Sequence, residues 1–211
     1  MIQYLIPRFP LRDLRPMLLV SLCGAMVAGG YGIVHDQITY SISTEYFTKL
    51  KFDQFRYADW GLGDRVFAGV IGFLASWWVG AIAAWFAARW HLPYRNRSIA
   101  MRQIRRSFLL VGCVAITSAT IGWAYGLWLG PRADYSSWDD VFSQLGIEQH
   151  WAFVRVAYIH NASYLGSLLG LLLALLVLRR AEPTQVENEL APPQPMREKL
   201  GSAENQWKPK A

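Results

Sequence analysis

The sequence predicts an all-α integral membrane protein, a four-helix bundle of antiparallel transmembrane helices. Three observations support this fold class. Four long apolar runs cover residues 17–34, 66–88, 108–129 and 156–178, each near the roughly 20 residues with which an α-helix crosses a bilayer. Small residues recur at every fourth position in each run, and basic and acidic residues gather in different links between the runs. The alternative, a soluble all-helical core, usually has shorter helices with a polar edge.

The N-terminal part of the chain consists of a proline-containing segment, the first apolar run and the link that follows this run. Residues 1–16 contain three prolines and several basic residues, so we expect no single regular helix there and place this segment along the cytoplasmic surface. The run itself carries Gly24, Ala28 and Gly32 one helical turn apart. His35 then falls at the outer interface. In the link that follows, Ser43 begins a predicted helix through Phe55, with an apolar face suited to the headgroup level of the membrane.

The second apolar run, residues 66–88, has no charge in 23 residues and is the predicted centre of the bundle. Small side chains at this spacing let helix backbones approach closely in lipid. Asp64 lies four residues before Ala68, the first member of this row. We expect the Asp64 carboxylate to cap the helix by accepting hydrogen bonds from free backbone amide groups. The row consists of Ala68, Gly72, Ser76, Gly80, Ala84 and Ala88.

The remaining elements follow the same pattern. Pro93 ends the central helix, and the Arg-rich stretch 94–107 is predicted to form a surface helix against anionic lipid. The third run carries Ser118, Gly122 and Gly126. A capping-box pattern at 137–140 predicts a short helix that Gly146 closes. The fourth helix is expected from Glu148 onward, with small residues at Gly166, Gly170 and Ala174.

Two domains are expected: a transmembrane domain over residues 1–180 and a disordered cytoplasmic tail over 181–211. The tail is rich in proline and charge, a composition that cannot bury enough apolar surface to fold. The tail and the first sixteen residues lie on the same side of the membrane in a bundle of four spans.

The net charge of +6 reflects membrane topology. The link between the second and third runs holds six arginines and no acid, whereas the other two links hold nine acids between them. By the positive-inside rule, both termini and the Arg-rich link are cytoplasmic and the acidic links face outward. The expected location is the cell inner membrane, with the lipid bilayer as the principal partner and another envelope protein as a further candidate. A nucleic-acid partner is not expected.

Four polar residues near the outer face are candidate site residues: His35, Asp64, His160 and Glu45. His160 shares a helix face with Ser163, Tyr164 and Ser167, so it is expected to point into the bundle. His35 lies within about 60° of the Gly24, Ala28 and Gly32 row on its helix, and Asp64 extends the small-residue row of the central helix. Ionisable groups inside a membrane are costly, and a functional site is the default hypothesis for them.

Four interpretations of this group stay open, of which substrate translocation is weakened by the absence of charged residues deep in any span. Two imidazoles with one or two carboxylates suit zinc or another transition metal, with Glu45 folding in from the loop. Alternatively, His35, Asp36, Asp64, His160 and Asn161 cap helix ends and hydrogen-bond one another. The third possibility is a b-type haem with His35 and His160 as axial ligands.

Three stretches resemble a family of bacterial inner-membrane proteins of unknown activity: HDQITYSISTEYFTKLKFDQF, the Trp77-Trp78-Val79-Gly80 step and HNASYLG in the last helix. The resemblance covers most of residues 20–180 and implies a bacterial envelope location without implying any chemistry. No serine or cysteine stands in a nucleophile motif with histidine and a carboxylate. The expected function is therefore a non-catalytic accessory or scaffold bundle, with a metal- or haem-binding protein as the alternative.

Overall fold

Six helices make up the computed structural model, which describes residues 11–94 and 96–180 of the chain. Four are long: α1 (Leu11–Ile42), α3 (Asp64–His91), α4 (Arg97–Leu129) and α6 (His150–Arg180). All four have the length and apolar composition needed to cross a membrane. The two short helices, α2 (residues 44–54) and α5 (Asp139–Leu145), lie in the links that the sequence places outside. The fold is the predicted all-α four-helix membrane bundle.

Helices α1 and α3 pack backbone against backbone along their small-residue rows. A Cβ atom added at Gly32 would overlap the Gly72 carbonyl oxygen, and one added at Gly80 would overlap the Gly24 carbonyl oxygen. Ser76 Oγ also donates to the carbonyl of Ala28 at 2.9 Å across this interface. Since apolar surface gains little by leaving lipid, close contact of this kind is what holds membrane helices together.

Helices α4 and α6 form a second close pair. A Cβ at Gly122 would lie 2.6 Å from the carbonyl oxygen of Tyr158, and one at Gly166 would overlap Ser118. The Tyr31 and Ser163 hydroxyls, 2.8 Å apart, join α1 to α6. Each of the four predicted small-residue rows therefore contributes to a helix interface.

All four long helices extend beyond their apolar runs, α1 and α4 by the most residues. Helix α1 begins at Leu11, includes Pro16 and continues to Ile42, so it passes His35 by about two turns. The prediction of a separate surface helix over residues 94–107 is wrong, because residues 97–107 are the first turns of α4. Asn96 caps α4 by accepting from the Ser98 amide at 3.0 Å, and no residue after it interrupts the hydrogen-bond ladder.

The link between α1 and α3 packs against the long helices. Ser43 caps α2 by accepting from the Tyr46 amide at 3.3 Å, and α2 runs through α-helical Thr44–Tyr46, π-helical Phe47–Lys51 and α-helical Phe52–Gln54. Phe47 is fully buried. The predicted helix is present, but its apolar side chains cover the ends of the long helices instead of facing headgroups.

The second outward link contains the predicted short helix α5. Gly146 ends this helix in the left-handed conformation, with φ of 63°, which glycine adopts without steric cost. The expected capping box is wrong, because no side chain caps α5 and Trp138 occupies the N-cap position. Helix α6 then begins at His150, two residues later than expected. The proposed tail 181–211, residues 1–10 and Arg95 lie outside the described residues.

Candidate metal-binding site

His35 on α1 and His160 on α6 are the centre of the candidate site. Their rings meet edge to face, with centroids 4.7 Å apart. His160 is 2 % exposed, and the Nε2 atom of His35 is buried without a hydrogen-bond partner. The sequence predicts that both residues lie at the outer end of the bundle, and the structure brings their rings into contact.

Asp36 supplies a carboxylate to the same group. It is buried, at 4 % exposed, and its Oδ1 lies 3.8 Å from His160 Nε2. One potential ligand atom from each of His35, Asp36 and His160 lies within 4.8 Å of the other two. The sequence pattern indicates only a helix-capping role for Asp36, at the end of the first apolar run.

Neighbouring hydroxyl groups orient the two imidazoles. The Tyr31 hydroxyl lies 3.4 Å from His35 Nδ1, so only this nitrogen of the His35 ring has a hydrogen-bond partner. Thr39 Oγ1 lies 3.2 Å from His160 Nε2 and donates to the His35 carbonyl at 3.0 Å. Thr39 is thus the direct link between the backbone of α1 and the imidazole of α6.

Aromatic side chains of α2 cover the site. The rings of Tyr46 and Phe47 lie 5.1 and 6.2 Å from that of His160, centroid to centroid. Burial raises the pKa of the Tyr46 phenol, and nearby Tyr164 and Asp36 add to this effect. Tyr46 therefore stays neutral at physiological pH, and α2 shields the group from water. The π-helical turn that seats Phe47 is a feature often found at functional sites.

Lys51, at the end of that π-helical turn, is a cationic side chain that acts electrostatically on Asp36. Burial lowers the pKa of its ammonium group, and Asp36 counteracts this shift. The ammonium group also lies 5.9 Å from the centre of the Tyr46 ring. Lys51 thus partly balances the charge of the buried Asp36 carboxylate.

Asp64, a predicted site residue, has a different partner. Its Oδ2 accepts a hydrogen bond from the Tyr40 hydroxyl at 3.2 Å. The expectation that Asp64 caps the central helix is wrong, because α3 begins at Asp64 itself and Gly63 occupies the N-cap position. Asp64 therefore ties α3 to α1 one turn beyond Asp36.

Glu45, the fourth predicted site residue, joins the two outward links. Its carboxylate accepts from the Gln149 amide at 2.8 Å and from the Glu148 amide at 3.2 Å, and Lys49 lies 3.2 Å away. Partial burial opposes ionisation, but these amide bonds and Lys49 prevail and lower the pKa of Glu45. Its carboxylate oxygens are used in holding the start of α6.

The geometry fits a small metal ion better than a haem. A haem needs an open slot between its two axial imidazoles, whereas these rings contact each other and Tyr46 and Phe47 pack beside them. Two histidines and one carboxylate suit zinc or a first-row transition metal. Bonds of about 2.0–2.2 Å would require the three ligand atoms to close by about 1 Å.

The sequence carried a signal for the residues that were missed. Tyr31, His35 and Thr39 are spaced by four, which places them on one face of α1. That face meets His160 and Ser163 of α6. A polar row at helical spacing inside an apolar helix was visible in the sequence, but its partner helix was not.

Comparisons with known protein families, with curated proteins and with solved structures give no match.

Proposed function

We propose that this protein binds a divalent transition-metal ion through His35, Asp36 and His160. The observation that carries the proposal is the buried Nε2 of His35, which lacks a partner in a group of three side chains that can each offer a ligand atom. A buried polar atom without a partner costs about 1–3 kcal/mol. A metal ion would remove that cost at His35 and neutralise the buried charge of Asp36.

The surroundings of the three residues support this proposal. The Tyr31 and Tyr164 hydroxyls lie beside the Nδ1 atoms of His35 and His160, and an outer partner on the second ring nitrogen orients histidine ligands in metal sites. Three protein ligands leave a further coordination position for another molecule, as in sites where the metal acts on a bound group. An accessory or scaffold bundle is the second candidate, supported by the structural roles of Asp64 and Glu45.

We further propose that the bundle lies in a bacterial inner membrane with both termini in the cytoplasm. The arginines of the link between α3 and α4 favour this orientation by the positive-inside rule. The metal group would then face the periplasm beneath α2. Lipid is the partner in this proposal, and an envelope protein is a further candidate.

Metal analysis of the purified full chain tests the proposed function. The protein is prepared without chelator, and its metal content is measured by mass spectrometry. We expect near-stoichiometric transition metal in the wild type and loss of it in His35→Ala, Asp36→Asn and His160→Ala. His150→Phe is the matched control, because His150 stacks on Phe142 in the outer link and a phenyl ring keeps that stacking.

Three results would contradict the proposal. If the wild type holds no metal and binds neither added Zn²⁺ nor added Co²⁺, the scaffold function is favoured. If all three variants retain the metal, the ion is bound elsewhere. A haem absorption band in the purified protein would reinstate the haem interpretation.

A further inference from the structure

A cavity of about 370 Å³ adjoins the metal-binding group on the side of α1 that faces α4. Its volume falls within the roughly 300–1,000 Å³ typical of small-molecule sites. Most of its wall is apolar, with Val34 and Ile38 from α1 and Ile116, Ala119 and Trp123 from α4. The cavity could therefore hold an apolar molecule next to His35.

The mouth of this cavity faces the membrane. Val34 and Ile38 are each 59 % exposed and Ile116 is 55 % exposed, and all three belong to helices that are apolar enough to span a bilayer. Apolar side chains exposed on such helices contact hydrocarbon. A molecule dissolved in the membrane would therefore enter sideways, between α1 and α4, without passing through water.

Polar atoms lie at one end of the cavity. His35, Thr39 and Tyr31 are part of its wall. His35 belongs to the proposed metal-binding group, and the hydroxyls of Thr39 and Tyr31 contact it. The Thr120 hydroxyl, by contrast, already donates to the Ile116 carbonyl at 2.9 Å. A long apolar wall that ends on an imidazole suits an apolar chain with one oxygen-bearing head.

We propose that the cavity binds a membrane-soluble amphiphile whose oxygen head reaches the metal held by His35, Asp36 and His160. This inference rests on the proposed metal site and adds its ligand class. The apolar chain occupies the space between α1 and α4, and the head takes the coordination position that the protein leaves open. The ligand enters from the outer leaflet, while α2 keeps the water-facing side closed.

Cobalt-loaded full-length protein in detergent provides the test, because the visible spectrum of Co²⁺ responds to a change of ligand. The probes are dodecanoate and acetate, which share a carboxylate head and differ in the chain. Ala119→Trp fills the cavity wall, and Val34→Trp narrows the mouth at an exposed position that tolerates a larger side chain. Ile121→Trp is the matched control, since Ile121 lies on α4, is 62 % exposed and is not part of the cavity wall.

Dodecanoate is expected to change the Co²⁺ spectrum of the wild type and of Ile121→Trp at the same concentration. In Ala119→Trp and Val34→Trp, the dodecanoate concentration that produces the same spectral change should rise at least about tenfold. A rise of this size is expected when two or more methylenes of the ligand lose their burial. The response to acetate should stay unchanged in all four proteins.

The outcomes separate this inference from the proposed function. Suppose that Co²⁺ binds through the two histidines, but dodecanoate changes the spectrum equally in all four proteins, or acetate changes it and dodecanoate does not. Either result would show that the cavity does not deliver the ligand, and it would leave the proposed metal site unaffected. If Co²⁺ does not bind, or binds equally to His35→Ala and His160→Ala, the proposed function itself fails. A folded Val34→Trp protein keeps the test decisive if Ala119→Trp does not fold.

Discussion

The imidazoles of His35 and His160 touch edge to face with their centroids 4.7 Å apart, and they come from the first and last long helices of the bundle. This contact closes the bundle at the end that α2 covers. It also places two metal-binding side chains beside the buried carboxylate of Asp36.

The two histidines are expected to act as a unit. His35→Ala and His160→Ala should each lower metal content and melting temperature nearly as much as the double variant does. Residues that share a ligand couple by about 0.5–3 kcal/mol. Melting curves and metal content of the two single variants and the double variant give this coupling directly. Losses that simply add would indicate independent packing roles.

Asp64 is expected to contribute to stability but not to metal binding. Asp64→Asn should keep the wild-type metal content, because the carboxylate bonds to Tyr40. Its stability should fall by about 1 kcal/mol or less, as a charged hydrogen bond becomes a neutral one. Metal content and melting temperature measured on one preparation check both statements. Loss of the metal in this variant would restore Asp64 to the ligand set.

Close packing of α1 on α3 should make Gly72 intolerant of a methyl group. In Gly72→Ala the new Cβ would overlap the Gly32 carbonyl group, and overpacking of this kind costs about 1–3 kcal/mol. Gly30→Ala on α1 is the control, since a Cβ there meets no atom within 4 Å. Thermal melting should show a loss for the first variant only. Equal stability of both would mean that the helices separate easily.

Helix α2 is expected to slow the exchange of the metal. Phe47 is fully buried, and Phe47→Ala should destabilise the protein by about 3–5 kcal/mol. The variant should also lose its metal faster to an added chelator, because the aromatic cover over His160 is opened. Tyr57→Ala, at a residue 79 % exposed, should behave as wild type. An unchanged rate of metal loss in Phe47→Ala would show that α2 does not cover the entry path.

Acid should weaken the link between α2 and α6 through Glu45. Its pKa lies below the ordinary value of 4.5 in the folded protein, so the ionised carboxylate stabilises the folded state. That contribution is complete above about pH 4.5 and is lost as the pH falls through the lowered pKa. Glu45→Gln should therefore be less stable than wild type at neutral pH, and the difference should shrink toward pH 3.

Melting temperatures of both proteins between pH 3 and 8 measure this difference. Glu148→Gln makes the same change at an exposed side chain, and it should leave the melting temperature near that of wild type. A constant gap between wild type and Glu45→Gln at all pH values would contradict the assigned role of the carboxylate.

The amino-acid sequence by itself determined the membrane-spanning helices and the faces along which they pack. Apolar length is a local property, and a small residue every fourth position marks one helix face whatever the partner is. For that reason the sequence predicts interface positions for Gly24, Gly32, Gly72 and Gly80, and the structure places all four in the contact between α1 and α3. The inward direction of His160 followed from the same periodicity.

Only the tertiary structure decided which carboxylate joins the two histidines. Asp64 extends the small-residue row of its helix, but at the first turn its side chain reaches Tyr40 instead. Asp36 looked like a residue at a wet helix end, yet α1 continues to Ile42 and α2 covers it, which leaves Asp36 4 % exposed. Helical periodicity describes one helix at a time, whereas the burial of Asp36 depends on where α2 and α6 come to lie against α1.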